Sequence, residues 1–300
     1  MNNFIKLALL STIATLTACS ITPTEKKSIT TDSNANEFLD RCTDLSKSGR
    51  FEEALQNCNK AIDLNPNLAA AWYNKGSIFS VLNRYEEAIT NYDKAIATSP
   101  NSNAWYDRGV ILGYLNRHEE AIKSYDNTIA INPNFANAWV NKGHSLFYLK
   151  RYEEALYSSD QALAIDSSDS IAWNNRGNIL NGLNRYEEAL KSYDKSVAIN
   201  PNYAKAWSNR GYALNKLKRH AEAIQSCSKS IAISPNFSAW VNRGNAFGGL
   251  GCYQEASKDF EQALAFNPDS GLAIGKYSFA QKLLLQCQKE HNCKPCSHKP

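Results

Sequence analysis

Residues 173–211 read WNNRGNILNGLNRYEEALKSYDKSVAINPNYAKAWSNRG, and the stretch closes on the same W-x-N-R-G frame with which it opens. Two runs of helical apolar period lie between the frames. Asn184 divides them and Asn200-Pro201-Asn202 closes them. Asn tolerates the left-handed conformation that ends a helix, and Pro cannot continue one. One period therefore holds one helix, a tight turn, a second helix and a stop.

The frame recurs in both directions. Trp stands at 72, 105, 139, 173, 207 and 240, which uses all six Trp of the chain. Four residues on come Gly76, Gly109, Gly143, Gly177, Gly211 and Gly244, and three further on Phe79, Leu112, Leu146, Leu180, Leu214 and Phe247. Ala88, Ala121, Ala155, Ala189, Ala223 and Ala256 follow, and Pro100, Pro133, Pro201, Pro235 and Pro268 close most periods. Gly at the close-packing position lets two helices approach, with the small Ala facing it. The turn position is filled by Gly49, Asn83, Asn116, Asn184 and Gly251, and less suitably by Lys150 and Lys218. Glu86-Glu87, Glu119-Glu120, Glu153-Glu154 and Glu187-Glu188 open second helices, where negative charge offsets the helix dipole.

A period near 34 with Trp, Gly, an apolar residue, Ala and Pro in these places resembles the tetratricopeptide repeat. The resemblance implies an all-α fold: a right-handed α-solenoid of about seven helical hairpins plus a C-terminal capping helix. The repeats span 35–68, 69–101, 102–135, 136–169, 170–203, 204–236 and 237–270, and the cap 271–290. The first repeat has Phe38 for Trp and Cys42 for Gly, and the fourth has Ser167 for Pro. In the cap, Leu272, Tyr277, Ala280, Leu284 and Cys287 fall on one stripe, as an array needs at its open end.

One departure from the usual pattern is regular. Lys75, Arg108, Lys142, Arg176, Arg210 and Arg243 precede the Gly, while Asp93, Asp126, Asp160, Asp194 and Glu261 share one position on the second helices. Folding each hairpin about its turn predicts ion pairs within repeats, with Ser228 leaving Arg210 unpaired. The alternative is a solvated basic column.

In the family, first helices line a concave groove that receives a partner segment. By position, this implies a groove of Tyr73 and Ser77; Tyr106, Val110 and Tyr114; Val140, His144 and Tyr148; Asn174, Asn178 and Asn181; Ser208, Tyr212 and Asn215; Val241 and Asn245. Tyr supplies area with a polar handle, and Asn can pair with an extended backbone. Lys205 and Lys216 make its C-terminal part mildly basic. The Lys, Asn and Arg clamp by which some relatives hold C-terminal carboxylates lacks its matching Lys pattern here. A lone His such as His144 is more often structural than a ligand. The repeats contain no nucleophile–base set, carboxylate dyad or phosphate loop, so no enzyme and no cofactor are expected. The net charge of +4, from 33 basic and 29 acidic residues among 300, does not suggest a nucleic-acid partner.

The N-terminus carries a different signal. Lys6 precedes an apolar run from Leu7 to Ala18, shorter than the ~20 residues that span a bilayer. Leu16-Thr17-Ala18-Cys19 resembles the lipobox of bacterial lipoproteins. That resemblance implies a signal peptide over 1–18 and a lipidated Cys19. Acylation there would anchor the protein to a membrane of the cell envelope. Ser20 leans toward the outer membrane rather than the inner. Residues 19–34 are polar and predict a flexible tether.

Seven cysteines besides Cys19 remain. Cys42 and Cys58 lie symmetrically about the first hairpin turn and are candidates for a disulfide, and Cys252 with Cys287 is a weaker pair. In the tail, 291–300, His291, Cys293, Cys296 and His298 place soft ligands around a CxxC. That pattern offers a metal or redox role as an alternative function. A small disulfide loop is the plainer reading, and no metal is assigned.

Overall fold

A computed structural model describes residues 23–289. Cys19 with the signal segment, and the tail with His291, Cys293, Cys296 and His298, lie outside them. Among the described residues there are fifteen helices and no strand, an all-α solenoid of helical hairpins. No helix there is long and apolar enough to cross a membrane.

The chain divides after Ser99 into two compact units. The first holds the hairpins α1 (Pro23–Lys47) with α2 (Phe51–Leu64) and α3 (Ala69–Val81) with α4 (Tyr85–Thr98). The second holds α5 (Ser102–Tyr114) with α6 (His118–Ile131), α7 (Ala136–Tyr148) with α8 (Tyr152–Ile165), and α9 (Ser170–Gly182) with α10 (Tyr186–Ile199). It continues with α11 (Ala204–Lys216) and α12 (His220–Ile233), α13 (Phe237–Gly249) and α14 (Tyr253–Phe266), and ends on α15 (Gly271–Lys289). Helix α1 starts at Pro23, inside the segment expected to be a tether. Pro suits a first helical turn because the N–H it lacks would have no intrahelical acceptor there.

Each hairpin turn is a left-handed C-cap. Asn83, Asn116, Asn184, Lys150 and Lys218 all have φ of 58–59°, and Gly49 and Gly251 have 76° and 78°. At α9 the Arg185 N–H returns to the Leu180 carbonyl at 2.9 Å, and the Asn184 N–H to the Asn181 carbonyl at 3.0 Å. A Lys in this region lacks both the freedom of Gly and the local bonding of Asn. Replacing Lys150 and Lys218 by Gly is therefore expected to stabilise the fold by about 0.5–1 kcal/mol each. Thermal melts of the two variants check this, and a lowered midpoint in both would contradict it.

Between repeats the indole serves as a clip. Nε1 of Trp139, Trp173 and Trp207 donates to the carbonyls of Pro133, Ser167 and Pro201 at 2.8–3.0 Å, six residues back. Trp72 does the same to Pro66. The two periods of 33 residues use another device: Asn101 and Asn236 cap α5 and α13 by accepting from the Ala104 and Ala239 N–H groups. The shorter turn brings an Asn to the N-cap, the position Asn favours. Trp240 Nε1 is buried without a partner.

The core repeats one contact. A Cβ on Gly76, Gly109, Gly177 or Gly244 would meet the ring of Tyr92, Tyr125, Tyr193 or Phe260, sixteen residues on. In the first repeat the same two positions are Cys42 and Cys58, which form a disulfide with Cα atoms 5.3 Å apart. In the sixth they are Gly211 and Cys227. Cys227 is a free, fully buried thiol whose pKa burial pushes up to about 12, so it stays protonated. Cys252 is also disulfide-bonded.

The acidic pairs that open second helices have a further partner. Arg117, Arg185 and Arg219, at the N-cap, each grip the acid three residues on (Glu120, Glu188, Glu222) through two nitrogens at 2.6–2.8 Å. The three-residue spacing R-x-x-E carries this signal, and dipole reasoning alone overlooked it. Arg-to-Glu bonding holds these exposed carboxyls below their ordinary pKa.

The cap differs from its expected stripe. Ala280 is buried and Tyr277 and Leu284 are half-buried as that stripe requires, but Leu272 is exposed and Ala273 is buried in its stead. Helix α15 packs on α14 and is the last helix among the described residues.

A candidate binding face on the first helices

The columns of cations and acids show how successive hairpins dock. Lys142, Arg176 and Arg210 pair with Asp126, Asp160 and Asp194, each at 2.7 Å. These acids belong to the preceding repeat, not to the same hairpin as the sequence suggested. Arg210, expected to be unpaired, has Asp194. The reason is the stacking: each first helix lies against the second helix of the repeat before it. The acid sixteen residues back is within reach, while the one eighteen residues on is not the position that faces the cation. Within its own hairpin each guanidinium meets a serine instead. Arg176 Nη1 donates to Ser192 and Arg210 Nη1 to Ser226, at 2.9 and 2.5 Å.

The seventh repeat exchanges the two partners. Arg243 donates to Asp259 of its own hairpin through Nε and Nη2, both at 2.8 Å, and to Ser228 of the preceding repeat at 3.0 Å. Here the pair is buried, with side chains 15% and 5% exposed. Ser228, which looked like a lost acid, is one half of this exchange.

Docking of this kind sets which helices form the inner face. In the second unit the first helices α5, α7, α9, α11 and α13 touch one another in succession. Consecutive second helices make no comparable contact. The stack within this unit therefore bends toward its first helices, which form the inner face.

Several residues expected to line that face are used to hold it together. Tyr193 is fully buried; its hydroxyl donates to Asn178 at 2.9 Å and accepts from Asn181 at 2.7 Å. Burial holds the phenol well above its ordinary pKa. Asn209 then bridges to Asn178 and Asn174 at 3.0 and 2.9 Å. Asn174, Ser208 and Val241 are buried. Asn215 donates to the Asn242 carbonyl at 2.7 Å and Asn245 accepts from Lys276 at 2.7 Å. Tyr106 is half-buried, stacked on Phe135 at 4.8 Å and accepting from Asn141 at 3.1 Å. These amides were expected to be free for an extended backbone. A side chain at a repeat junction must satisfy its polar atoms there first.

What stays open is aromatic. Tyr114, Tyr148 and Tyr212 are 69%, 56% and 37% exposed, with Val110 beside them. Val140, His144, Tyr148, Asn175, Tyr203 and Lys205 surround an indentation of about 150 Å³. His144 meets Tyr148 edge-on at 4.8 Å, and His118 stacks on the same ring at 5.0 Å. Burial, then the neighbouring His118 and Lys205, lowers the His144 pKa, so its ring is neutral at pH 7. In the first unit, Tyr73 packs on Tyr92 at 5.7 Å and Ser77 accepts from the Tyr92 hydroxyl at 3.3 Å.

Family models of the tetratricopeptide repeat match residues 69–102, 102–135, 170–203, 204–237 and 238–270, and further ones match 45–80 and 136–169. The chain belongs to the tetratricopeptide repeat family. Among curated proteins no sequence matches it. Among solved structures it is similar to YrrB, described as a tetratricopeptide repeat protein with an unusual peptide-binding site. The identity is 26% and the TM-score 0.54, over 60% of this chain and 94% of that one. A tetratricopeptide repeat protein from Parabacteroides merdae shares 18% identity, with a TM-score of 0.62, over 83% of this chain and 99% of the other. MamA shares 19%, with a TM-score of 0.53, over 57% and 94%. The last two show the fold alone. Tetratricopeptide arrays are interaction scaffolds, and protein–protein interaction is the function class of this repeat protein.

Proposed function

We propose that this repeat protein is a membrane-anchored, non-enzymatic scaffold that captures a segment of a partner protein on its inner face. The observation that carries this reading is the row of exposed tyrosines, Tyr114, Tyr148 and Tyr212, on helices where the amides of Asn178, Asn209 and Asn215 are bonded within the array. Broad aromatic faces give contact area at small entropic cost, and a folded array presents them preorganised. The peptide-binding site of YrrB, the relative at 26% identity, supports the same use of the fold. The lipobox-like Leu16-Thr17-Ala18-Cys19 supports an anchor at Cys19, with the outer membrane favoured over the inner. Confinement to a membrane would raise the effective concentration of a partner in the same envelope, which suits assembly of an envelope complex.

Substitution and fractionation test the two halves separately. Tyr148→Asp and Tyr212→Asp are expected to lower partner recovery about tenfold each, as for interface aromatics elsewhere. Lys123→Glu and Lys191→Glu, on second helices, leave it unchanged. Cys19→Ser is expected to release the protein from membranes, since stable anchoring needs the acyl chains. Recovery insensitive to both tyrosines defeats the inner-face reading, and a membrane-bound Cys19→Ser variant defeats the anchor.

A further inference from the structure

Charge is segregated between the two helix sets. Helices α7, α9, α11, α13 and α15 contain no Asp or Glu. From residue 136 to 289 every acid stands on a second helix or in a turn. Those on the second helices largely answer arginines, as Asp160, Asp194, Glu188 and Glu222 do. Two lysines of this side, Lys216 and Lys276, form no ion pair with a carboxylate among the described residues. Lys216, at the end of α11, lies with its ammonium 5.4 Å from the Tyr212 ring centre. Lys276, on α15, donates to Asn245 Oδ1 at 2.7 Å. The two lysines line one pocket of about 400 Å³, together with Tyr212, Asn245 and the exposed Leu272.

We propose that this pocket seats an Asp or Glu side chain of the partner segment between Lys216 and Lys276, with an apolar neighbour of that residue on Leu272. The inference rests on the inner-face reading and names the chemistry that face selects. An ammonium has three donors, and Asn245 takes one from Lys276, leaving two for a ligand. Burial, then repulsion from Lys216, lowers the Lys276 pKa, and no carboxylate acts to raise it. A bound carboxylate converts that repulsion into attraction at both lysines. The remaining polar groups do not compete. Asn215 is engaged with the Asn242 carbonyl and with His220 Nδ1 at 3.2 Å. Burial, then Lys218, lowers the His220 pKa, so the ring is neutral at pH 7. The guanidiniums of Arg210 and Arg243 are held by Asp194 and Asp259, so ammoniums are the cations that line this pocket. Two ammoniums with an apolar wall suit a single carboxylate on an acidic, partly apolar peptide.

The test uses the full chain and a fluorescent decapeptide of alternating Glu and Leu, amidated at its C-terminus. Its twin carries Gln for Glu, and phosphatidylglycerol vesicles form a third arm. The acidic peptide is expected to bind about tenfold tighter than the Gln peptide. Lys216→Gln and Lys276→Gln should each weaken it by about fivefold without affecting the Gln peptide. Lys123→Gln and Lys191→Gln serve as controls, and melting curves show that every variant is folded. Equal affinity for both peptides overturns the carboxylate seat while leaving the inner-face reading standing. Affinity for the acidic peptide that survives both lysine changes moves the seat elsewhere. Retention on vesicles that exceeds peptide binding assigns the lysines to an anionic lipid surface instead. If neither peptide binds, the acidic-segment inference fails, and the tyrosine substitutions above decide the inner face independently.

Discussion

Replacing Asp259 with Ala is expected to destabilise the second unit by about 3–5 kcal/mol, because a buried guanidinium loses its carboxylate. Arg243 holds that carboxylate through two 2.8 Å bonds in a site where its own side chain is 15% exposed. The remaining partner, Ser228, supplies an oxygen but no charge. Preceding repeats show the cure, since Arg210 has an acid in the preceding hairpin and a serine in its own. Asp259→Ser is expected to be nearly as damaging as Asp259→Ala. Adding Ser228→Asp to it should recover most of the loss. Urea unfolding of the single and double variants measures this coupling. Additive damage in the double variant would show that the two positions do not exchange roles.

Gly177→Ala is expected to cost about 1–3 kcal/mol, the usual penalty for overpacking a core. Its new Cβ would stand 2.5 Å from the ring of Tyr193, which is fully buried and bonded to Asn178 and Asn181. The same change at Gly143, at the same position of its repeat, meets nothing closer than the Ala155 carbonyl at 3.3 Å, because Ser159 replaces the aromatic ring. Gly143→Ala should therefore be neutral or gain up to about 1 kcal/mol from helix propensity. Thermal melts of the two variants separate the effects. Equal losses would mean that glycine is needed at this position for its backbone, not for the ring opposite.

These two contrasts also mark what a sequence can reveal. The hairpins were legible because their signals are local: Trp, Gly and Ala at fixed offsets, an Asn or Gly at each turn, and Pro at each end. Contacts between repeats were not. The acid column was visible, but assigning each acid to a repeat depends on which helix docks on which, and a one-residue change of period moves every partner. The exchange of Ser228 and Asp259 was hidden for the same reason. On the inner face, position identified Tyr114, Tyr148 and Tyr212. It could not tell that Asn174, Ser208 and Val241 would be buried, or that Asn178 and Asn215 would spend their amides within the array. Lys276 escaped notice because the cap helix was read only for its apolar stripe. At the other end, the polar residues before Asn34 suggested a tether although Pro23 can open a helix.

Photocrosslinking in native membranes shows directly whether the inner face holds a partner protein. Probes replace Tyr114, Tyr148 and Tyr212 on the inner face, and Lys123 and Lys191 on second helices. Inner probes are expected to give one discrete protein adduct and outer probes none. Adducts from the outer probes alone would place the partner on the second helices and contradict the inner-face reading.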